Sequence, residues 1–110
     1  MKEIGVIIET TTNNKQTAIN ISAHLLETKK AACIQIENIE SHYWWNGKIA
    51  SDKEFKIRIK TVKSLTHEVF NIIKSLHNYS LPEIILININ ETTTDYLGWI
   101  IKETKQPTAN

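Results

Sequence analysis

Apolar and polar residues along the first part of the chain repeat with two different periods. Residues 4–8 form a short, largely β-branched apolar run, which predicts a buried strand. Apolar residues then recur at helical spacing over residues 15–30, and the polar residues 9–14 offer side chains that can cap a helix. We therefore predict a strand, a turn and an amphipathic helix.

The next segment has the pattern of a β-hairpin. Residues 31–39 return to the alternation of a strand, and residues 53–60 alternate with one apolar face. Asn46 and Gly47 lie between these runs, and this pair favours a type I′ turn because both central residues need a positive φ. A hairpin with its tip at Asn46 and Gly47 is predicted.

The last part of the chain predicts a helix, a strand and a shorter helix. Ser64 is expected to cap the second helix, and residues 84–89 and 94–103 have the patterns of a fourth strand and a last helix. The order β-α-β-β-α-β-α predicts an α+β fold, a ferredoxin-like β-α-β-β-α-β sandwich with an extra C-terminal helix. We expect the helices to cover one sheet face and leave the other face for a partner.

Length and composition limit the number of domains and the classes of protein to which the chain can belong. The 110 residues suit a single domain, predicted over residues 1–104, followed by a C-terminal tail over residues 105–110. The 13 Lys and Arg residues balance 12 Asp and Glu residues, which disfavours nucleic acid as a partner. No apolar stretch approaches the ~20 residues that span a membrane, so no membrane association is expected. The single cysteine, Cys33, and an N-terminus without a signal-like apolar region predict a cytoplasmic protein.

Two residues in the segment 77–83 are candidate metal ligands. His77 and Glu83 flank a turn that contains Pro82, and imidazole and carboxylate together suit borderline divalent ions. Two ligands make no tight site, so from chemistry alone the favoured interpretation of His77 and Glu83 is a helix-terminal histidine and a structural glutamate. Cys33 could be a soft metal ligand or a reactive thiol, but a small buried apolar side chain is the favoured interpretation.

Three consecutive aromatic residues, Tyr43, Trp44 and Trp45, precede the predicted turn. Because neighbouring strand residues point to opposite faces, one core cannot bury all three, and a subunit interface is the favoured interpretation. Stacking on nucleic acid is disfavoured because no basic groove accompanies them. The sequence has no nucleophile elbow, Gly-rich phosphate loop or HExxH motif, so we expect no enzymatic activity.

Five stretches resemble, in the same order, the signature stretches of the CutA family of divalent-cation tolerance proteins. They are Lys-Ala-Ala-Cys (30–33), Tyr-Trp-Trp-Asn-Gly-Lys-Ile (43–49), Ile-Lys-Thr (59–61), His-Asn-Tyr-Ser-Leu-Pro-Glu (77–83) and Asp-Tyr-Leu-Gly-Trp (95–99). The match extends from about residue 4 to residue 101, and the second and fourth stretches are specific in combination. These stretches together make the chain similar to the CutA proteins.

The resemblance implies a homotrimer of ferredoxin-like protomers, akin to the PII signalling proteins, in which the hairpins reach neighbouring subunits. It also implies a role in tolerance of divalent cations, copper above all. The clefts between subunits would be lined by the positions that match the family's candidate ligand site, which are Cys33, Lys60, Tyr79 and Glu83.

The chain also departs from the family pattern. Glu9 stands where some relatives have a cysteine that is a candidate copper ligand, Leu76 where some have a second histidine, and Asn78 where proline is frequent. A soft, thiolate-based copper site is therefore not expected, and the predicted metal ligands are the harder donors Glu9, His77 and Glu83.

Two functions follow from the resemblance. The first is a trimeric protein that binds a divalent metal ion, with copper as the expected ion and no other cofactor. The alternative is a PII-like sensor that binds a small anionic metabolite between subunits, with Lys60 as its charge partner.

Overall fold

The computed structural model describes residues 3–105, which form four strands and three helices. The strands are β1 (Gly5–Thr12), β2 (Cys33–Trp45), β3 (Lys48–Val62) and β4 (Ile84–Asn88). The helices are α1 (Lys15–Glu27), α2 (Thr66–Leu76, after one 3₁₀ turn at Lys63–Leu65) and α3 (Thr94–Glu103). The antiparallel sheet has the order β2-β3-β1-β4, which confirms the predicted ferredoxin-like fold with an extra C-terminal helix. The predicted tail over residues 105–110 lies, apart from Lys105, outside the described residues.

The first three strands are longer than the sequence pattern predicted. β1 continues through the polar residues to Thr12, because β3 pairs with the whole run from Gly5 (opposite Val62) to Thr12 (opposite Phe55). Three consecutive threonines suit this extension, since β-branched side chains favour strands. The prediction that residues 9–14 form a turn was therefore wrong for the first four of them.

The hairpin turn lies where it was predicted. Asn46 and Gly47 have φ values of 50° and 76°, as a type I′ turn requires. The segment of β3 before Phe55 has no partner in β1, so this part of β2 and β3 (the hairpin arm, residues 39–54) projects beyond the sheet by about 20 Å.

The hydrophobic core lies between one sheet face and the helices α1 and α2. Val6 and Ile8 of β1 and their neighbours Ile57 and Ile59 of β3 are fully buried there. The helices contribute buried side chains at helical spacing, which are Ala18, Ile21, Leu25, Val69 and Ile73. The apolar helix faces that the sequence predicted therefore form this core.

Helix α3 covers part of the opposite sheet face. A Cβ atom on Gly5 would lie 3.3 Å from the Leu97 side chain, and Lys60 Nζ lies 5.7 Å from the centre of the Tyr96 ring. Gly5 and Lys60 point away from the α1 and α2 side, because neighbouring strand residues face opposite ways. The prediction that helices cover only one face was thus wrong. The last helix returns across the sheet and buries Ile100.

Local contacts set both ends of α1 and the start of α2. Asn14 caps α1 by accepting a 2.9 Å hydrogen bond from Thr17 N–H. The helix ends at Glu27, earlier than predicted, because Lys29 adopts a left-handed conformation with φ of 60°. Ser64 is not the cap of α2, since it lies in the 3₁₀ turn and its hydroxyl bonds to Glu3.

Candidate functional site

A cleft of about 660 Å³ lies between the hairpin arm and the loop of residues 77–83. It is lined by Thr11, Asn13, Ser41, His42, Tyr43, Trp45, Asp52, Glu54, Tyr79, Ser80, Leu81 and Glu83. The loop follows α2 and crosses the end of β1, so one wall comes from the loop and the other from the projecting arm. We call this space the arm–loop cleft.

His77 ties the start of the loop to β1. Its Nε2 donates to the Thr11 carbonyl at 2.9 Å, and its Nδ1 accepts from Tyr79 N–H at 3.0 Å. These two bonds require the neutral tautomer with the proton on Nε2, since a carbonyl only accepts. Burial lowers the pKa of His77, although the Thr11 carbonyl and the Glu54 carboxylate oppose this shift. Both ring nitrogens are therefore occupied within the chain.

Asn78 and Tyr79 extend this anchoring. Asn78 Oδ1 accepts from the Thr12 hydroxyl at 2.5 Å, and its Nδ2 donates to Asn13 Oδ1 at 2.9 Å. The Tyr79 hydroxyl donates to Glu54 Oε2 at 2.7 Å. Burial, followed by this hydrogen bond and the Glu54 charge, raises the pKa of Tyr79, which keeps the hydroxyl protonated.

Three carboxylates line the arm–loop cleft. Asp52 accepts a hydrogen bond from the Tyr43 hydroxyl, and this bond raises the pKa of Tyr43. Glu54 is held by Tyr79 and is only 7% exposed. Glu83 is exposed, and among residues 3–105 its carboxylate has no hydrogen bond or ion pair. No lysine or arginine is among the lining residues, so the cleft is acidic.

The third predicted metal ligand, Glu9, is already paired. Arg58 Nε donates to Glu9 Oε2 at 3.0 Å, and Arg58 Nη2 lies 3.6 Å from Glu37 Oε1. Within the described part of the chain, no three His, Cys, Asp or Glu residues are grouped so that they could hold a metal ion. The residues of one chain therefore do not fit a closed metal site, and only Glu83 of the three candidates has a free donor.

The four predicted ligand-binding residues separate into two pairs. Cys33 is directly opposite Lys60 on β2 and β3, whereas Tyr79 and Glu83 line the arm–loop cleft. Lys60 is six positions along β3 from Glu54, the partner of Tyr79, which corresponds to about 20 Å. One chain thus does not bring the four side chains together.

The predicted interface residues lie near the tip of the hairpin arm. Trp44 and Trp45 are 71% and 53% exposed, and Tyr43 is 38% exposed. Their positions on both faces of β2 agree with the expectation that one core cannot bury them all.

Among the carboxylates of the cleft, sequence reasoning missed Asp52 and Glu54. Both were missed as site residues because they lie on the polar face of an alternating strand, which normally faces solvent. Glu54 is buried and accepts a hydrogen bond from Tyr79, which lies 25 residues later in the chain. No periodicity within the strand could have revealed this contact.

Comparisons with known proteins agree with this fold. The model of the family described as CutA1 divalent ion tolerance protein matches residues 6–103. The divalent-cation tolerance protein CutA of Pyrococcus horikoshii is 38% identical over 92% of this chain and 99% of its own length. The structure of CutA1 from Oryza sativa has a TM-score of 0.90 at 32% identity, covering 94% of this chain and 96% of that one.

A third relative bears on location. The structure of a periplasmic divalent cation tolerance protein CutA from Archaeoglobus fulgidus has a TM-score of 0.89 at 34% identity, covering 93% of this chain and all of that one. One Oryza sativa relative is named chloroplastic. The cytoplasmic location predicted from the sequence therefore stays a prediction. No helix within residues 3–105 is long and apolar enough to cross a membrane.

Proposed function

Because the chain belongs to the CutA1 family of divalent ion tolerance proteins, we propose that it contributes to metal tolerance by binding copper(II) as a homotrimer. The observation that carries this proposal is the state of the three candidate ligands. His77 and Glu9 are engaged within the chain, whereas the Glu83 carboxylate has no partner among residues 3–105. One subunit then supplies part of a coordination sphere, and a neighbouring subunit completes it.

The hairpin arm supports the trimer. It projects beyond the sheet and exposes Trp44, Trp45 and Ile49, the last of them 69% exposed. Exposed aromatic and aliphatic residues grouped on one element are typical of protein interfaces. Light scattering is expected to give about three times the chain mass of 12.7 kDa, and a stable monomer would refute both the trimer and the shared site.

The same assembly reconciles the two separated pairs of candidate ligand residues. A cleft between subunits can combine Cys33 and Lys60 of one chain with Tyr79 and Glu83 of another. Among these four residues the Glu83 carboxylate is the ready metal donor, since a lysine ammonium does not coordinate a metal and Tyr79 stays protonated. A carboxylate oxygen suits copper(II) better than copper(I). We also propose a non-enzymatic role, because no set of acid, base and nucleophile was recognised, and a cytoplasmic location, which a single cysteine favours.

Calorimetric titration of the metal-free protein with copper(II) tests direct binding, with zinc(II) and magnesium(II) as comparison ions. We expect saturable binding that Glu83→Gln weakens by about tenfold, the order expected for the loss of one charged ligand. Glu27→Gln is the matched control, since Glu27 is exposed at the end of α1. His77→Ala is expected to have a smaller effect than Glu83→Gln. Without saturable copper binding, the link of this protein to metal tolerance is indirect.

One observation favours the alternative, a PII-like sensor of a small anion. Lys60 is half-buried beside the Tyr96 ring, and no carboxylate among residues 3–105 forms an ion pair with it. A cation in this state is available to an anionic ligand. If the alternative holds, Lys60→Ala abolishes the binding of inorganic phosphate or succinate and leaves copper binding unchanged, and Glu83→Gln has the opposite pattern.

A further inference from the structure

The turn of the hairpin arm places an asparagine side chain next to the backbone nitrogen of a glycine. Asn46 and Gly47 are the two turn residues, and both are exposed. Apart from the chain neighbours of Gly47, no heavy atom of residues 3–105 lies within 4 Å of the position that a Cβ atom would take there. The Gly47 nitrogen is therefore open to approach by the Asn46 side chain, because glycine has no side chain that would obstruct it.

Neither of these two groups is engaged elsewhere in the described part of the chain. In a two-residue hairpin turn the ladder bond joins the flanking residues, here Trp45 and Lys48, and leaves the Gly47 N–H outside the ladder. The Asn46 side chain has no hydrogen-bond partner among residues 3–105. A free side-chain amide and a free backbone nitrogen on neighbouring residues are the reactants of an intramolecular ring closure.

Contacts of the arm with another subunit would involve its two faces rather than its end. Trp44 and Trp45 point to opposite faces of β2, and Ile49 lies directly opposite Trp44 on the same face. A neighbouring chain that covers these side chains therefore packs against the faces of the arm. The turn closes the far end of the arm, about 20 Å beyond the sheet, so we expect its backbone to stay in solvent in the proposed trimer.

We propose that Asn46 is a site of spontaneous deamidation. The Gly47 nitrogen attacks Asn46 Cγ, so that a bond forms between these two atoms and the bond from Cγ to Nδ2 breaks. The leaving nitrogen takes up the proton that the Gly47 nitrogen loses and departs as ammonia. Water then opens the resulting succinimide ring at either carbonyl and gives aspartate or isoaspartate. The reaction needs water alone as a co-reactant.

The hairpin turn limits the rate of this reaction. Ring closure requires a rotation of the Asn46 backbone away from the type I′ conformation, and the pairing of Trp45 with Lys48 opposes this rotation. The end of the arm has no partner strand in β1, so it can open locally while the sheet stays folded. The rate should therefore follow the opening of the arm, and it should rise with pH because the attacking nitrogen must lose its proton.

The products change the arm in two ways. Both replace a neutral amide by a carboxylate and lower the formal net charge of +1 by one unit. Isoaspartate also adds one carbon to the backbone between residues 46 and 47, so the turn no longer has the length that sets the register of β2 and β3. The pairing of Trp45 with Lys48 should then be lost, which would displace the exposed tryptophans and weaken subunit contacts through the arm.

Mass spectrometry of the intact chain and of its peptides tests this proposal during incubation at mildly alkaline pH. We expect a growing fraction of chains in which the peptide that contains Asn46 has the mass of the acid, with isoaspartate among the products. Asn90 is the internal control, since it is also exposed but is followed by Glu91, whose side chain hinders ring closure. Absence of conversion at Asn46, or equal conversion at Asn90, would overturn the proposal.

Asn46→Gly is the matched variant, because a Gly-Gly pair also supports a type I′ turn and carries no amide to lose. It should show no mass change at the turn, and its thermal unfolding should not alter on incubation, whereas that of the wild type should move to lower temperature. The same change on incubation in both proteins would refute the effect on the arm. Fresh Asn46→Gly should bind copper(II) with the wild-type affinity, so the result is independent of the proposed metal site.

Discussion

Thr10 carries a buried hydroxyl that has no hydrogen-bond partner in the described part of the chain, and replacing it tests how the sheet is stabilised. Thr10 is fully buried on the α1 and α2 side of β1, opposite Ile57 of β3 and Ile84 of β4. Within residues 3–105, its Oγ1 is the only fully enclosed side-chain polar atom that has no hydrogen-bond partner. The surroundings are apolar, so this hydroxyl is expected to destabilise the fold.

The expected gain from Thr10→Val follows from the cost of that hydroxyl. An unpaired buried hydroxyl costs about 1–3 kcal/mol in protein mutational data. Valine keeps the β-branched shape and favours a strand, so the substitution adds no large strain. We expect the free energy of unfolding to rise by about 1 kcal/mol, which corresponds to about 4 °C in Tm for a chain of this size.

Thr61→Val is the matched control. Thr61 is also fully buried and lies on the same sheet face, but its hydroxyl donates to the Lys30 carbonyl at 2.7 Å. The same substitution should lower stability by about 1–3 kcal/mol here, since it leaves that carbonyl without its donor. Urea unfolding at one fixed protein concentration measures both effects, because subunit association adds a concentration-dependent term. If both variants lose stability to a similar extent, the Thr10 hydroxyl is hydrogen-bonded and our interpretation is refuted.

Two further predictions concern the loop and the end of α1. The folded pKa of His77 is below its ordinary value, so the stability that His77 contributes should be complete above about pH 6.5 and decline as the pH falls through the lowered value. Urea unfolding in chelator-treated buffer measures the difference in the free energy of unfolding between wild type and His77→Ala at each pH, with His24→Ala as the exposed control. A difference that does not change with pH would contradict this prediction. Lys29→Gly should raise the free energy of unfolding by about 0.5 kcal/mol, because glycine tolerates the left-handed conformation and the exposed ion pair with Glu103 contributes little. Lys29→Ala loses the same ion pair but keeps the Cβ atom, so equal stability of these two variants would disprove the argument.

The elements that sequence patterns predicted well are those with local causes. The turn at Asn46 and Gly47 and the apolar faces of the helices depend on neighbouring residues only. The extension of β1 to Thr12 depends instead on β3, which lies more than 40 residues later in the chain. A polar run is compatible with a turn or with a strand, and pairing with a partner strand determines which of the two forms.

His77 likewise shows that sequence patterns do not predict contacts between residues that are distant in the sequence. The sequence identified His77 and Glu83 as neighbours along the chain, and chemistry suggested that both could bind a metal. Hydrogen bonds to Thr11 and Tyr79 occupy the histidine, and neither bond can be inferred from spacing within the loop. The motif was thus located correctly, whereas the division between anchoring residues and ligands required the fold.

The anchoring of the loop and the chemistry of the cleft have one structural origin. His77 and Asn78 bond to the end of β1 at Thr11 and Thr12, Tyr79 bonds to Glu54 of β3, and together these bonds fix the wall that carries Glu83. The hydrogen bond from Tyr79 to Glu54 attaches the loop to β3 and also fixes the position of the Glu54 carboxylate in the cleft. Because the Glu83 carboxylate has no partner among residues 3–105, it is available to the metal ion that we propose is shared between subunits.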